Sequence, residues 1–351
     1  MIKVAIYGVG IFGEIFFKAL GGEIDFFIDD YSDDKTYLNK AINALSSIPK
    51  DTKIYISPLQ YSNQIENNLK NNGFTNIINF TNSIKTIPNI LKFIAKTNYL
   101  WLVEDSSKML NRDKLKEVTQ LLCDEKSKNI LSKMINLRET LNVQYYIDPS
   151  GTEYFPSDVP ILQNLDKIDF VDCGAYTGDT IKELMNQTSK VNSTISFEPD
   201  TKNQKSLNIE LALQKDSYPE TDFIIYPSGV YSENSILQFS NNGVDSSASF
   251  NKNSDIFVPV VSIDNILINK NINFIKMDIE GAEAEALIGA KKTIQKYKPN
   301  LAICLYHKPE DLWELPLLIN EIEPSYTMYL RVHEDMCLST VLYCISKERD
   351  V

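Results

Sequence analysis

Two glycine-rich turns constrain this chain more than any other feature, because each ends a run of β-branched and aromatic residues and leads into a helix-like stretch. The first, YGVGIFG, spans residues 7–13, and the second, FVDCGAYTGDTI, spans 170–181. Strand, glycine turn and helix N-terminus in that order open a βαβ unit, where glycine lets the backbone approach a ligand and the helix end offers free N–H groups. Two such turns predict two α/β sheets, and 351 residues with 43% hydrophobic composition can fill two cores.

The segments around the turns keep the same rhythm. IKVAIY, EIDFFID, KIYIS and NIINF predict strands in the first hundred residues, with QIENNLKNNGF as a helix closed by Gly73. From about 104 to 142 the apolar residues recur at helical spacing (Leu115, Val118, Leu121 and Leu122, then Ile130, Leu131, Met134, Ile135 and Leu141), which predicts a two-helix connector. The Pro/Gly/Ser-rich stretch 148–160 then marks a domain boundary. Seven further strands are predicted at 168–173, 193–198, 222–227, 273–278, 301–306, 327–332 and 340–345. The last two have no room for a crossover helix between them and should pair antiparallel. The expected organisation is a small Rossmann-like α/β domain over 1–103, a helical connector over 104–150, and a second α/β domain over 151–351 whose seven mostly parallel strands finish in a hairpin. That last architecture is the one of the class I, Rossmann-like methyltransferases.

Ligands of such sheets lie beyond the carboxyl ends of the strands. In the second turn Gly174 and Gly178 permit close approach, and Glu198, 26 residues after Asp172, ends the next strand, where a carboxylate can accept hydrogen bonds from both hydroxyls of a ribose. Asp172 and Glu198 thus form one nucleoside site. A plain structural turn is the weaker reading, and a dinucleotide is less natural without a third glycine at the right spacing. Asp278, at the end of FIKMD, should face the cleft, whereas Glu283 is expected to complement the dipole at its helix N-terminus. Both histidines of the chain, His307 and His333, directly follow strands of this domain. With an ordinary pKa of about 6.5, His307 is expected to accept a proton at neutral pH. Asp278, His307 and His333 together have the composition of a facial triad for iron, manganese or zinc; otherwise His307 acts alone as base and His333 packs or caps.

FVDCGAYTGDTI, FEPD, IKMDIEGAEAEALIGA, AICLYHKPEDLWELPLLI and YLRVHE, in that order over about 155–346, resemble the FkbM family of S-adenosylmethionine-dependent methyltransferases. The resemblance implies a class I methyltransferase fold and methylation of a hydroxyl on a sugar, glycan or secondary metabolite. It implies that Asp172, Gly174 and Gly178 line the methionine and ribose of S-adenosylmethionine and that Glu198 holds the ribose. Tyr176, Asp179, Asp200 and Asp278 are expected on the cofactor side with them, and Asp278 and His307 as the catalytic pair.

The first turn is formally a complete dinucleotide fingerprint, with Gly8, Gly10 and Gly13 followed by Asp29 and Asp30 at the end of the next strand. It resembles the small Rossmann-like module of bacterial surface-polysaccharide pathways, which recognises a nucleotide, a nucleotide sugar or nothing. The competing functions are an NAD-dependent sugar oxidoreductase or epimerase, for which the first hundred residues lack a Tyr-x-x-x-Lys pair, and a non-catalytic nucleotide-binding scaffold. A formal net charge of -12 with no basic cluster disfavours nucleic acid. Five cysteines without Cys-x-x-Cys spacing fit reduced thiols in a cytoplasm. No run of 18 apolar residues predicts a membrane span. The expected partner is a small-molecule sugar or nucleotide sugar, with oligomerisation open.

Overall fold

The computed structural model describes residues 2–97, 102–103, 109–163, 165–241, 248–250 and 256–347. The chain divides into two compact units, 1–109 with 132–148, and 110–131 with 149–351.

The first unit is built on a six-stranded sheet in the order Thr36–Tyr37, Lys40–Asn43, Phe26–Ile28, Val4–Tyr7, Lys53–Ile56, Ile77–Ile78. All neighbours are parallel except the first pair. Apolar residues such as Ala5, Ile28, Ile54 and Ile56 are fully buried, as parallel strands covered on both faces require. The predicted strands fall at these positions, but the hairpin Thr36–Asn43 was not expected. Its two turn residues, Leu38 and Asn39, both have positive φ (48° and 62°), a left-handed turn usually signalled by Asn-Gly.

The second unit holds the seven-stranded sheet in the order Thr327–Val332, Thr340–Ile345, Asn300–Cys304, Phe274–Met277, Ile168–Cys173, Val191–Phe197, Asp222–Tyr226. Thr340–Ile345 runs antiparallel to both of its neighbours and the other pairs are parallel, so the predicted terminal hairpin is present. Phe170 and Phe274 stack obliquely in its core, centroids 4.7 Å apart. An additional four-stranded sheet, in the order Gly229–Val230, Ile256–Val261, Ser235–Asn241, Ala248–Phe250, was not predicted. The polar stretch 241–253 lies for the most part outside the described residues. The helices expected between 104 and 142 are Arg112–Leu121 and Glu125–Thr140. Four strands end at one edge of the main sheet with Cys173, Phe197, Met277 and Cys304, and the chain continues from them into Gly174, Glu198, Asp278 and His307.

Candidate active site

The turn after Cys173 is fixed by backbone geometry. Gly174 has φ +82°, and a Cβ there would collide with the backbone carbonyl of Asp278. The N–H groups of Gly174 and Ala175 both donate to the Phe197 carbonyl at 3.0 Å, and the Asp278 N–H donates to that of Cys173 at 3.0 Å. Three strand ends are thereby laced into one floor. Gly178, φ +90°, is the N-cap of helix Asp179–Gln187, and Tyr176 takes a left-handed conformation (φ 46°) with its ring exposed. Such a cradle, closed to any Cβ and followed by a helix N-terminus, suits a close-lying nucleoside ligand.

Glu198 lies directly across the turn. Its carboxylate accepts from the N–H of Tyr176 at 2.9 Å and of Asp200 at 2.8 Å. Burial pushes it up to about 7 despite those hydrogen bonds. Asn203 Nδ2 also donates to Oε1 at 3.5 Å, which leaves Oε2 with a spare lone pair for the ribose role expected of Glu198. Asp200 caps helix Thr201–Ser217, accepting from the N–H groups of Lys202 and Asn203.

Asp172 is fully buried at the end of its strand. Strand register sets Lys276 opposite it, and Lys276 Nζ lies 3.1 Å from Asp172 Oδ1. Asp172 Oδ2 has no hydrogen-bond partner among the described residues. Burial pushes its carboxyl up to about 6, partly countered by Lys276, while burial of Lys276 is more than offset by the Asp172 and Asp278 charges, which keep the ammonium charged. Lys276 Nζ also donates to the Gly174 carbonyl at 2.7 Å. Asp172 therefore acts on the cradle through Lys276. Sequence reasoning missed Lys276, although a lone lysine in the run FIKMD calls for a buried carboxylate.

Asp278 is the hub of the second half of the site. Tyr154 Oη donates to Oδ2 at 2.7 Å, Tyr306 Oη donates to Oδ1 at 3.1 Å, and His307 Nε2 lies 3.2 Å from Oδ1. Burial would raise this carboxyl, but His307, Lys276 and Tyr154 hold it well below the usual range. Glu283, expected as a helix-end charge, is buried beneath His307 with Oε1 2.9 Å from Nδ1, and accepts from the Ile279 N–H at 2.9 Å. Burial alone would lower His307, but Glu283 and Asp278 hold it well above 6.5. That direction runs against the expected imidazole free to take a proton at pH 7. Around it burial lifts the carboxyls of Glu153, Glu280 and Asp311 to about 7.

The structure leaves His333 apart from Asp278 and His307. Its Nε2 is 2.8 Å from Tyr343 Oη, and burial lowers it to about 4, so it is a neutral packed residue. Among the described residues, the sets of ligand-type atoms gathered within 4.8 Å are Asp278, Glu283 and His307, and Glu153, Asp278 and Cys304. His333 belongs to neither set, so the expected Asp278–His307–His333 grouping is not gathered among the described residues; in the first set Asp278 and Glu283 meet opposite nitrogens of the imidazole.

In the first unit, the fingerprint glycines have internal reasons. A Cβ on Gly13 would strike the Gly8 carbonyl, and one on Gly8 (φ +101°) would lie 2.8 Å from Ser57 Oγ; at Gly10 the space is open. Asp29 accepts from the N–H groups of Tyr31 and Ser32 at 2.9 Å and of Val9 at 3.3 Å, and Asp30 accepts from Tyr7 Oη at 2.8 Å. A carboxylate already sits on the N–H of the glycine turn that a pyrophosphate would use.

The family described as Methyltransferase FkbM domain matches residues 172–331. The crystal structure of Methyltransferase FkbM from Methylobacillus flagellatus KT is similar over 97% of this chain and 89% of that one, with 25% identity and a TM-score of 0.66. Weaker likenesses include an rRNA methylase from Streptococcus thermophilus (13% identity, TM-score 0.33, 52% of this chain and 89% of that one) and Aeropyrum pernix fibrillarin in complex with S-adenosyl-L-methionine (6%, 0.32, 54% and 70%). No curated protein sequence matches the chain. The glycine cradle and its strand-end carboxylates lie within the span that resembles the FkbM methyltransferase domain, and with the likeness to a solved methyltransferase this makes the chain an S-adenosylmethionine-dependent methyltransferase.

Proposed function

We propose that the enzyme is an O-methyltransferase acting on a hydroxyl of a sugar, free or nucleotide-linked. The observation that carries this reading is the Asp278 carboxylate, clamped by Tyr154, Tyr306 and His307 beside the cradle of Gly174. A preorganised carboxylate with lone pairs to spare binds and orients a hydroxyl, and the phenol rings next to it offer surface to a sugar ring. The many acids around it (Glu153, Glu280 and Asp311) favour an uncharged acceptor group over a phosphate at this point.

Gly174 through Gly178, Tyr176, Asp179 and Glu198 would hold S-adenosylmethionine, which when bound supplies a methyl group on a sulfonium. Asp278 would bind and orient the acceptor hydroxyl for transfer of the methyl from sulfur to oxygen, which releases S-adenosylhomocysteine, and the carboxylates beside it would take up the hydroxyl proton. A setting in bacterial surface-polysaccharide synthesis is suggested by the resemblance of the N-terminal module, and a cytoplasmic location by five cysteines without Cys-x-x-Cys spacing. No described helix is long and apolar enough to cross a membrane. Incubation with S-adenosylmethionine and a panel of sugars and nucleotide sugars, read by mass spectrometry, tests the reading. A one-methyl mass gain on a sugar hydroxyl supports it, and methylation confined to amines or thiols overturns it.

A further inference from the structure

Glu283 is the most deeply buried acid in the second half of the site. It has no solvent exposure, its Oε1 is shared between His307 Nδ1 (2.9 Å) and the Ile279 N–H (2.9 Å), and its Oε2 has no hydrogen-bond partner among the described residues. Across the imidazole, Nε2 faces Asp278 Oδ1 at 3.2 Å and Glu280 Oε2 at 3.6 Å. These are ion-pair contacts more than aligned hydrogen bonds. A neutral imidazole would turn a lone pair toward one of these acidic groups, whereas an imidazolium faces acids on both sides with positive charge. Asp311 lies on the same side as Glu283, Lys308 is turned away to donate to the Gly281 carbonyl, and Tyr306 packs on the ring at 4.1 Å between centroids.

We propose that Glu283 is a positioning residue of the active site, holding His307 as a fixed imidazolium that sets Asp278 and does not itself take up the substrate's proton. Oxygens of Glu283 on one side of the ring and of Asp278 and Glu280 on the other then fix its orientation. Asp278 in turn is kept ionised, with its remaining lone pairs directed away from His307. The inference rests on the methyl-transfer reading only for its kinetic readout.

The test is an imidazole NMR titration of the cofactor-free full chain, which has only two histidines to assign, with His333→Asn identifying the second. In the wild type, His307 should stay doubly protonated at pH 8. In Glu283→Gln, whose amide oxygen can still accept from Ile279, its titration should fall by about one to three pH units, the usual effect of a lost carboxylate neighbour. Methylation by Glu283→Gln should then decline as pH rises through that lowered value, where the wild type stays level. A wild-type His307 that titrates near 6.5, or one unmoved by Glu283→Gln, overturns the proposal. If Glu283→Gln does not fold, the wild-type titration alone decides. If no sugar is methylated at all, the titration still stands or falls by itself.

Discussion

Gly174 and Asp278 share one point in space: the Asp278 carbonyl oxygen lies where a Cβ on Gly174 would be built, and Gly174 holds φ +82°. The cofactor turn and the acceptor carboxylate are therefore locked together through backbone, on adjacent strands paired Met277 with Cys173. Gly174→Ala must move one of them and also carries the left-handed penalty of about 1–2 kcal/mol. The expected outcome is loss of S-adenosylmethionine binding in calorimetry together with a thermal midpoint lower by several degrees. Retained affinity would separate the turn from the cofactor.

Glu198 ties Tyr176 to Asp200 and is expected to hold the ribose. Removing a charged hydrogen-bond acceptor costs about 1.5–3 kcal/mol, or roughly ten- to a hundredfold in affinity. Glu198→Ala should show that loss by calorimetry. Unchanged binding would confine Glu198 to bracing the loop.

For the first unit, no redox role is expected, because Asp29 already occupies the Val9 N–H and Gly8 and Gly13 are explained by packing. Fluorescence titration should show no micromolar binding of NADH or NADPH. Gly10→Ala, with open space and an ordinary φ of -80°, should be stable, whereas Gly13→Ala should unfold more readily. Tight NADH binding abolished by Gly10→Val would restore the dinucleotide reading.

The acids of the site set a pH dependence for stability of the cofactor-free enzyme. Burial raises Glu153, Glu198, Glu280 and Asp311 to about 7 from ordinary values of 4.5 or 3.8, so between those limits the folded chain binds more protons than the unfolded one. Stability then falls as pH rises. His307, raised, contributes fully below about 6.5 and loses its contribution as pH climbs through its folded value, in the same direction. His333, lowered to about 4, opposes them below 6.5 as a single group. The thermal midpoint should be higher at pH 5.5 than at pH 8; the reverse order would show that these carboxyls are ionised without cost in the fold.

The parts legible in the sequence are those written in local periodicity. The seven strands, the terminal hairpin and both glycine turns follow from apolar runs and punctuation. Tyr154 was hidden because it reaches Asp278 from a loop 124 residues away, and no local pattern encodes that approach. Glu283 carried a readable sign that a helix-dipole explanation obscured: with Ala286, Leu287 and Ala290 it occupies the i, i+3, i+4, i+7 stripe of a buried face. Asp172 reads as part of a nucleoside site with Glu198, but its partner Lys276, set opposite by strand register, is visible only in three dimensions.

The division of labour between the two histidines gives the sharpest contrast. His307 is set among Asp278, Glu280 and Glu283, while His333 bonds Tyr343 Oη and stays neutral. Loss of His307 leaves Asp278 without its cation and Glu283 as a buried, unpaired charge, which is costly in an apolar interior. His307→Asn should therefore lower kcat by about 10²-fold, the cost of a misplaced orienting group, whereas His333→Asn should keep most of the activity at some cost in stability. Because the carboxylates address opposite nitrogens of His307, methylation should also survive dialysis against a chelator, checked by elemental analysis of the same sample. Activity lost on chelation and regained with a divalent ion, together with loss in His333→Asn, would falsify this assignment and return both histidines to a metal.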